Sequence, residues 1–260
     1  MAADLLPLDL LILRAPDFLF FYKSLIFVKY TLQDIKRATM ESLSHTEENY
    51  LKAIFKISER DGESVSNNSI STEMQTSAAS VTDMIGRLSK KELIHYQKHR
   101  GVSLTKGGRQ VATHLVRKHR LWECFLVEKL HFNWDEVHEI AEQLEHIHSG
   151  VLVERLDEFL GFPRFDPHGD PIPDADGNFA VRKQVPLAEL RDGEKGIVVG
   201  VQDHASSFLQ YLDRVNLGLG AQVEMLEHFE YDESVKIKRI PDVELVLSKK
   251  VSQNLFVQKR

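Results

Sequence analysis

The chain carries one cysteine, Cys124, in 260 residues, so no intramolecular disulfide can form and the fold must rest on its core. That usage fits a reducing cytoplasm, and Cys124 itself reads as a core thiol. An uninterrupted apolar run is missing too. The most apolar stretch, LLPLDLLILRAPDFLFFYKSLIFV, is broken by Asp9, Arg14, Pro16, Asp17 and Lys23, whereas a membrane span needs about twenty apolar residues with few charges. It also lacks the basic start and small-residue cleavage site of a signal peptide. Residues 1–39 are therefore read as a non-native or mis-annotated upstream extension, with a membrane-associating or partner-binding arm as the alternative. No membrane partner is expected. Absent as well are a nucleophile-and-base motif, a phosphate-binding glycine loop and an HExxH arrangement, so the sequence offers no catalytic chemistry and the chain is expected not to be an enzyme.

What is present is a segregation of charge that the formal net value of −6 hides. From Asp83 to Arg120 ten Lys and Arg side chains face two acids, and from Leu121 to Gly161 ten Asp and Glu face two cations. A basic block suits phosphate contact and an acidic block suits cation binding.

Ser44 followed by Glu47 has the spacing of a capping box. Tyr50, Leu51, Ile54, Phe55 and Ile57 then recur at helical spacing, which predicts a first helix ending near Asp61-Gly62. A short helix about Ser69 to Met74, a turn at Gln75-Thr76, and a helix from Ser77 to Lys91 with the stripe Val81, Met84, Ile85 and Leu88 make helix, turn, helix. The segment LIHYQKHRGVSLT alternates around Gly101 and reads as a hairpin with a basic tip at Lys98, His99 and Arg100. Ser77, Ala79, Ser80 and Asp83 open the recognition helix, where small side chains either permit packing or let a helix N-terminus approach the major groove. With Arg87, Lys98 and Arg100 they are the candidate DNA contacts; for the tip, the plain alternative is a solvated hairpin.

A long helix from about Lys106 to Leu130 follows, then helices from Trp134 to His148 and from Ser149 to Leu160. Helices placed beyond a wing commonly pair subunits, so a homodimer is expected. The stretch PRFDPHGDPIPDADGN cannot be regular structure and reads as a tether or irregular loop. Within it Asp174, Asp176 and Asn178 lack the terminal Glu of a calcium loop. Short strands interrupted by a helical SSFLQYLDRV then predict a small SH3-like β-barrel. The expected fold class is mainly α with small β. It comprises an N-terminal winged helix-turn-helix (40–108), a helical metal-binding and dimerisation domain (109–161), a linker (162–184) and a C-terminal SH3-like β-barrel (185–260).

In EVHEIAEQLEHIH, Glu142, Glu145 and His146 stand at i, i+3 and i+4, so a helix through them brings two carboxylates and an imidazole to one face. Such a face could hold a divalent transition metal or be merely solvated. His119 and His138 are either ordinary partly buried histidines or part of the same chemistry.

Several segments together resemble the DtxR/MntR family of metal-dependent transcriptional repressors, in the longer version with a C-terminal FeoA-type SH3-like domain. They are TEENYLKAI at Thr46 to Ile54, SAASVTDMIGRL at Ser77 to Leu88, RGVSLTKGG at Arg100 to Gly108, RKHRLWECFL at Arg117 to Leu126 and EVHEIAEQLEHIHS at Glu136 to Ser149, extended by PHGDPIP and PLAELRDGEKG. The resemblance implies a divalent cation held by His119, Glu142, Glu145 and His146, with Asn49 as a weaker oxygen ligand. It implies a second site that includes Glu123 and His138 beside His119, with Asp203 or His204 reaching in from the barrel. Lys52 stands where manganese-type relatives place a Glu, which argues against their two-metal cluster. Glu142 in place of a thiolate favours Mn2+, with Fe2+ the alternative and Zn2+ or Co2+ tolerated by imidazole. The resemblance further implies a cytoplasmic, homodimeric repressor of metal-uptake genes on double-stranded, pseudo-palindromic operator DNA. Two other readings stand beside it: a metal-buffering or metal-delivery protein without sequence-specific DNA binding, suggested by the FeoA-like barrel, and a metal-independent winged-helix regulator.

Overall fold

Apolar residues at helical spacing become buried stripes throughout the N-terminal half. The computed structural model describes residues 43–98 and 100–260; the expectations for residues 1–39 and for His99 lie outside the described residues. Helix α1 (His45–Asp61) buries Tyr50, Leu51, Ile54, Phe55 and Ile57, and also Glu48 and Lys52, two charges that a plain amphipathic helix would leave in water. Helix α2 (Asn67–Glu73) starts on Ser66, whose Oγ accepts from the Ser69 amide at 3.0 Å. Gln75 turns the chain at φ +48°, and α3 (Ala78–Lys90) starts on Ser77, whose Oγ accepts from the Ser80 amide at 3.2 Å. Val81, Met84, Ile85 and Leu88 are buried along one side of α3. Burying each such side chain contributes about 1.5–3 kcal/mol, which seats α3 firmly. Its other side, with Ser77 ahead of it and Ala79, Ser80, Asp83 and Arg87 upon it, stays exposed.

Strands β1 (Ile94–Gln97) and β2 (Gly101–Leu104) pair antiparallel, with Ile94 opposite Leu104 and Gln97 opposite Gly101. Val65 adds a bridge to Val102. Gly101 is obligatory here: its φ is +91° and a Cβ would lie 2.4 Å from the Val65 carbonyl oxygen. Lys98 and Arg100 project exposed from this wing.

Helix α4 (Lys106–Leu130) is capped by Thr105, packs along α1, and ends where His131 enters the left-handed region at φ +59°. Helix α5 (Val137–Leu144) is shorter than the expected span from Trp134 to His148. Its last turn tightens, with the Ile147 amide on the Leu144 carbonyl at 3.2 Å, and Ser149 at once caps the next helix, α6 (Gly150–Phe159). His146 therefore lies past the end of α5.

Residues 162–184 form no helix, yet they are not a free tether. Arg117 donates to the Pro173 carbonyl at 2.5 Å and to Asp157 at 2.6 Å, and Arg120 donates to the Pro171 carbonyl at 2.5 Å and to Asp170 at 2.9 Å. Asp166, His168 and Ile172 are buried in this segment.

The C-terminal part is a six-stranded antiparallel sheet in the order β3-β8-β4-β5-β6-β7. Its strands are β3 (Val185–Pro186), β4 (Lys195–Val201), β5 (Gln222–His228), β6 (Val235–Arg239), β7 (Val243–Leu247) and β8 (Leu255–Lys259). Helices α7 (Ser206–Arg214) and α8 (Lys249–Asn254) complete it, and its core gathers Leu187, Val198, Leu209, Leu212, Met225 and Val257. Three hydrogen bonds tie it to the segment before α5: Trp134 Nε1 donates to Asp213 at 2.9 Å, and Ser206 and Gln210 donate to Asp135 at 2.9 and 2.8 Å.

Candidate metal centre

His119 and Glu123 lie one turn apart on α4 and His138 opens α5 opposite them, so the packing of the two helices sets their distances. His119 Nε2 is 2.9 Å from Glu123 Oε1 and 3.1 Å from His138 Nδ1, and His138 Nδ1 is 3.2 Å from the same Glu123 oxygen. Metal–nitrogen and metal–oxygen bonds of about 2.0–2.2 Å place neighbouring ligand atoms roughly 3.0–3.4 Å apart, which is the size of this triangle. His119 Nδ1 faces Glu145 Oε2 at 2.6 Å and donates its proton there; Nε2 donates to Glu123 in the imidazolium and presents a lone pair to Glu123 and His138 in the neutral ring. A proton holds this cluster together as hydrogen bonds, and a divalent cation replacing it would meet the same three atoms. A cavity of about 30 Å³ adjoins the triangle, walled by Lys52, Arg120, Asp166, Asp170 and His204 among others.

Electrostatics agrees with the geometry. Burial works against ionising Glu123, yet hydrogen bonds with His119 and His138 and the neighbouring His168 hold it well below the ordinary carboxylate range. Burial likewise opposes the charged forms of His119 and Glu145, but Glu123 and Glu145 raise His119, and His119 with Lys52 lowers Glu145. His204 is pushed down to about 4 by burial, so near neutral pH its imidazole is uncharged.

The structure places Glu142 and Glu145 around the Lys52 ammonium, with His146 beside Glu145. Glu145, fully buried, accepts from Lys52 Nζ at 2.6 and 2.9 Å as well as from His119. The Lys52 ammonium thus lies between Glu145 and Glu142. Glu142 is half exposed, 3.5 Å from Lys52 and 3.6 Å from His138 Nε2. His146 pairs with Glu48 on α1 at 2.6 Å, stacks on His45 at 4.3 Å and keeps Nε2 3.9 Å from Glu145 Oε1. Asn49 keeps a buried side-chain oxygen with no hydrogen-bond partner, an acceptor available to a cation. Of the two residues expected to reach in from the barrel, His204 does so, stacking on His168 at 4.7 Å, while the Asp203 carboxylate accepts from the Ala205 amide.

The sequence reading passed over Asp166, His168 and Asp170. They lie in the irregular segment, where neither period nor spacing marks a ligand; an acid–Pro–His–Gly–acid string among turn residues was the available signal.

Residues 42–102 match the N-terminal DNA-binding domain of iron-dependent repressors, and residues 105–174 match their metal-binding and dimerisation domain. The chain belongs to the iron-dependent repressor family. Residues 185–259 of this repressor match the FeoA domain. It is 31% identical over 185 residues to the iron-dependent repressor IdeR of Mycobacterium leprae, an alignment covering 68% of this chain and 80% of that protein. Among solved structures it resembles a manganese-dependent transcriptional repressor in complex with manganese, at 34% identity and TM-score 0.74 over 82% of this chain and 100% of that one. ScaR with bound Cd2+ is 33% identical, with TM-score 0.67 over 82% and 99% of the two chains. The protein is a metal-dependent DNA-binding transcriptional repressor and not an enzyme. No helix among the described residues is long and apolar enough to cross a membrane.

Proposed function

We propose that this repressor binds pseudo-palindromic double-stranded operator DNA as a homodimer when Mn2+, or alternatively Fe2+, fills a centre built on His119, Glu123 and His138, and so controls genes of metal uptake. The triangle of those three ligand atoms carries the reading. Their side chains come from α4, which continues from the wing, and from α5, which leads into the dimerisation segment. An ion joining them ties the DNA-reading half to the pairing half. It thereby selects one separation of the two recognition helices from the many that the apo protein samples. A coupling of about 1–3 kcal/mol changes operator occupancy roughly five- to a hundredfold.

Glu145 acts in this reading as the carboxylate that orients His119 through Nδ1, with Lys52 balancing its charge; Glu142 flanks His138 and Asn49 Oδ1 is the acceptor left over on α1. Two imidazoles and a carboxylate suit Mn2+ and Fe2+ and tolerate Zn2+ and Co2+. Cys124 offers no competing thiolate, since burial pushes its thiol up. Exposed Val151, Leu152 and Phe159 on α6 support self-association through that helix. Ser77, Ala79, Ser80, Asp83 and Arg87 at α3, with Lys98 and Arg100 on the wing, face solvent where DNA contacts are expected.

The test is operator binding titrated anaerobically with Mn2+, Fe2+, Co2+ and Zn2+ for the native chain and for His119→Ala. Metal-dependent retardation that His119→Ala abolishes supports the reading. Retardation of no DNA at any metal concentration makes the protein a metal buffer, and retardation indifferent to chelator makes it a metal-independent regulator.

A further inference from the structure

Residues 175–184 lie between the match to the metal-binding domain, which ends at 174, and the match to the FeoA domain, which begins at 185. They nonetheless reach back to the first helix. Asp174 Oδ1 accepts from the amides of Asp176 and Asn178 at 2.9 Å each, which closes a tight turn. Gly177 in that turn has φ +86° and rests on α4, where a Cβ would stand 3.1 Å from Thr113 Oγ1. The turn delivers Phe179 onto Phe55 of α1, and the two rings stack with centroids 5.8 Å apart and planes 14° from parallel. Phe55 is 4% exposed, so Phe179 packs on a core residue of the DNA-binding half.

A guanidinium accompanies each ring. That of Arg109 lies over Phe55 at 5.2 Å and that of Arg120 over Phe179 at 6.0 Å. Arg120 follows His119 on α4, and it also holds the chain ahead of the turn, donating to the Pro171 carbonyl and to Asp170 and pairing with Asp166 at 3.4 Å. Arg117 donates to the Pro173 carbonyl at 2.5 Å. Farther back, Gly169 at φ +90° leaves no room for a Cβ against the Val199 carbonyl, and the Val201 amide donates to the His168 carbonyl at 3.0 Å, so the segment is pressed against β4 as well. Phe179 thus meets α1 through Phe55 and the helix of the metal centre through Arg120. A shift of α4 at His119 moves Arg120, and with it a ring against which α1 packs.

We infer that residues 174–180 are a strap that couples metal binding to DNA binding, with Phe179 as the positioning residue that passes movement of the metal centre to α1. The inference rests on the reading that the controlling ion sits at His119, Glu123 and His138. Phe179 is neither one of those ligands nor one of the residues expected on DNA. Removing its ring should therefore change how strongly the two events are linked and leave each binding site intact.

The probe is a DNA duplex selected from random sequence on the Mn2+-loaded full chain. Its affinity is measured by fluorescence anisotropy in saturating Mn2+ and in chelator, and the ratio of the two is the coupling. Bound Mn2+ is counted without DNA by equilibrium dialysis. Phe179→Leu keeps apolar bulk but removes the ring; it is expected to lower the ratio roughly 3- to 30-fold, with the Mn2+ count and the affinity in chelator unchanged. Phe179→Ala should do the same, and Phe179→Tyr, which keeps the ring, should keep the ratio. A ratio within about twofold of native in Phe179→Leu, whatever its stability to urea, overturns the strap, and so does an equal loss of affinity with and without Mn2+. A native ratio near one overturns the metal reading and the strap together. A large native ratio that His119→Ala abolishes and Phe179→Leu keeps overturns the strap alone.

Discussion

Replacing Lys52 with methionine removes a buried ammonium from Glu145 while keeping most of the side chain's apolar length. Lys52 is 5% exposed and its Nζ lies 2.6 and 2.9 Å from the two Glu145 oxygens, so the change leaves a fully buried carboxylate with His119 as its remaining bonded partner. Removing one side of a buried pair costs about 3–5 kcal/mol, because the other charge stays buried and uncompensated. Glu145→Gln should cost a similar amount, since it strands the ammonium with the more distant Glu142. Making both changes removes both charges, and replacement of a whole buried pair is often close to neutral. The double variant should therefore be much more stable than the summed single costs imply, with an interaction energy of at least about 2 kcal/mol. Urea unfolding of the four proteins in excess chelator measures this free of metal linkage, provided that the slope against urea stays constant. Additive costs, with an interaction below about 0.5 kcal/mol, would refute the internal ion pair and reopen the Glu145 carboxylate to a metal ion.

Glu145→Gln should also weaken Mn2+ binding by about 10–100-fold in a calorimetric titration, the usual effect of losing a carboxylate that orients a ligating His; no change would remove Glu145 from that role. Lys98→Ala and Arg100→Ala should each flatten the dependence of log K on log salt for DNA binding by about one, measured by fluorescence anisotropy, and unaltered slopes would take the wing off the phosphates. His114 is pushed down to about 4, first by burial and then by Lys118 and Arg117. Its folded value lies below its unfolded one, so the unfolded chain binds the extra proton: this contribution is full above about pH 6.5 and falls away as pH drops toward 4, by up to about 3 kcal/mol. Stability measured across that window should flatten in His114→Gln, and an equal slope in both proteins would count against a neutral buried ring.

Period and capping made the helical half legible. The stripe Val81, Met84, Ile85 and Leu88 could only be one side of a helix, and Gly101 between alternating residues could only be a turn, so reading helix and wing follow from local chemistry. The six-stranded sheet was legible only as alternating strands with turn punctuation, because the order β3-β8-β4-β5-β6-β7 depends on pairing between residues far apart. The metal centre was legible in part. His119, Glu123 and His138 come together because α4 and α5 keep regular spacing where they touch. Glu145 and His146 stay 3.9 Å apart but take different partners, Lys52 and Glu48, because α5 ends at Leu144, and no residue in the EQLEHIHS run forces that ending. Lys52 showed in sequence as a missing acid; that it would fill the space itself depends on α1 packing against the turn after α5.

Pressed against the Val199 carbonyl, Gly169 gives the loop of Asp166 and His168 a floor that belongs to another domain. A shortened chain ending before residue 185 would still encode His119, Glu123, His138, Asp166 and His168, yet it would lack the strand on which the last two rest. Side-chain inventory and side-chain placement are separable in this protein: excising the FeoA-type module would delete none of those five residues and would take away the surface on which two of them pack.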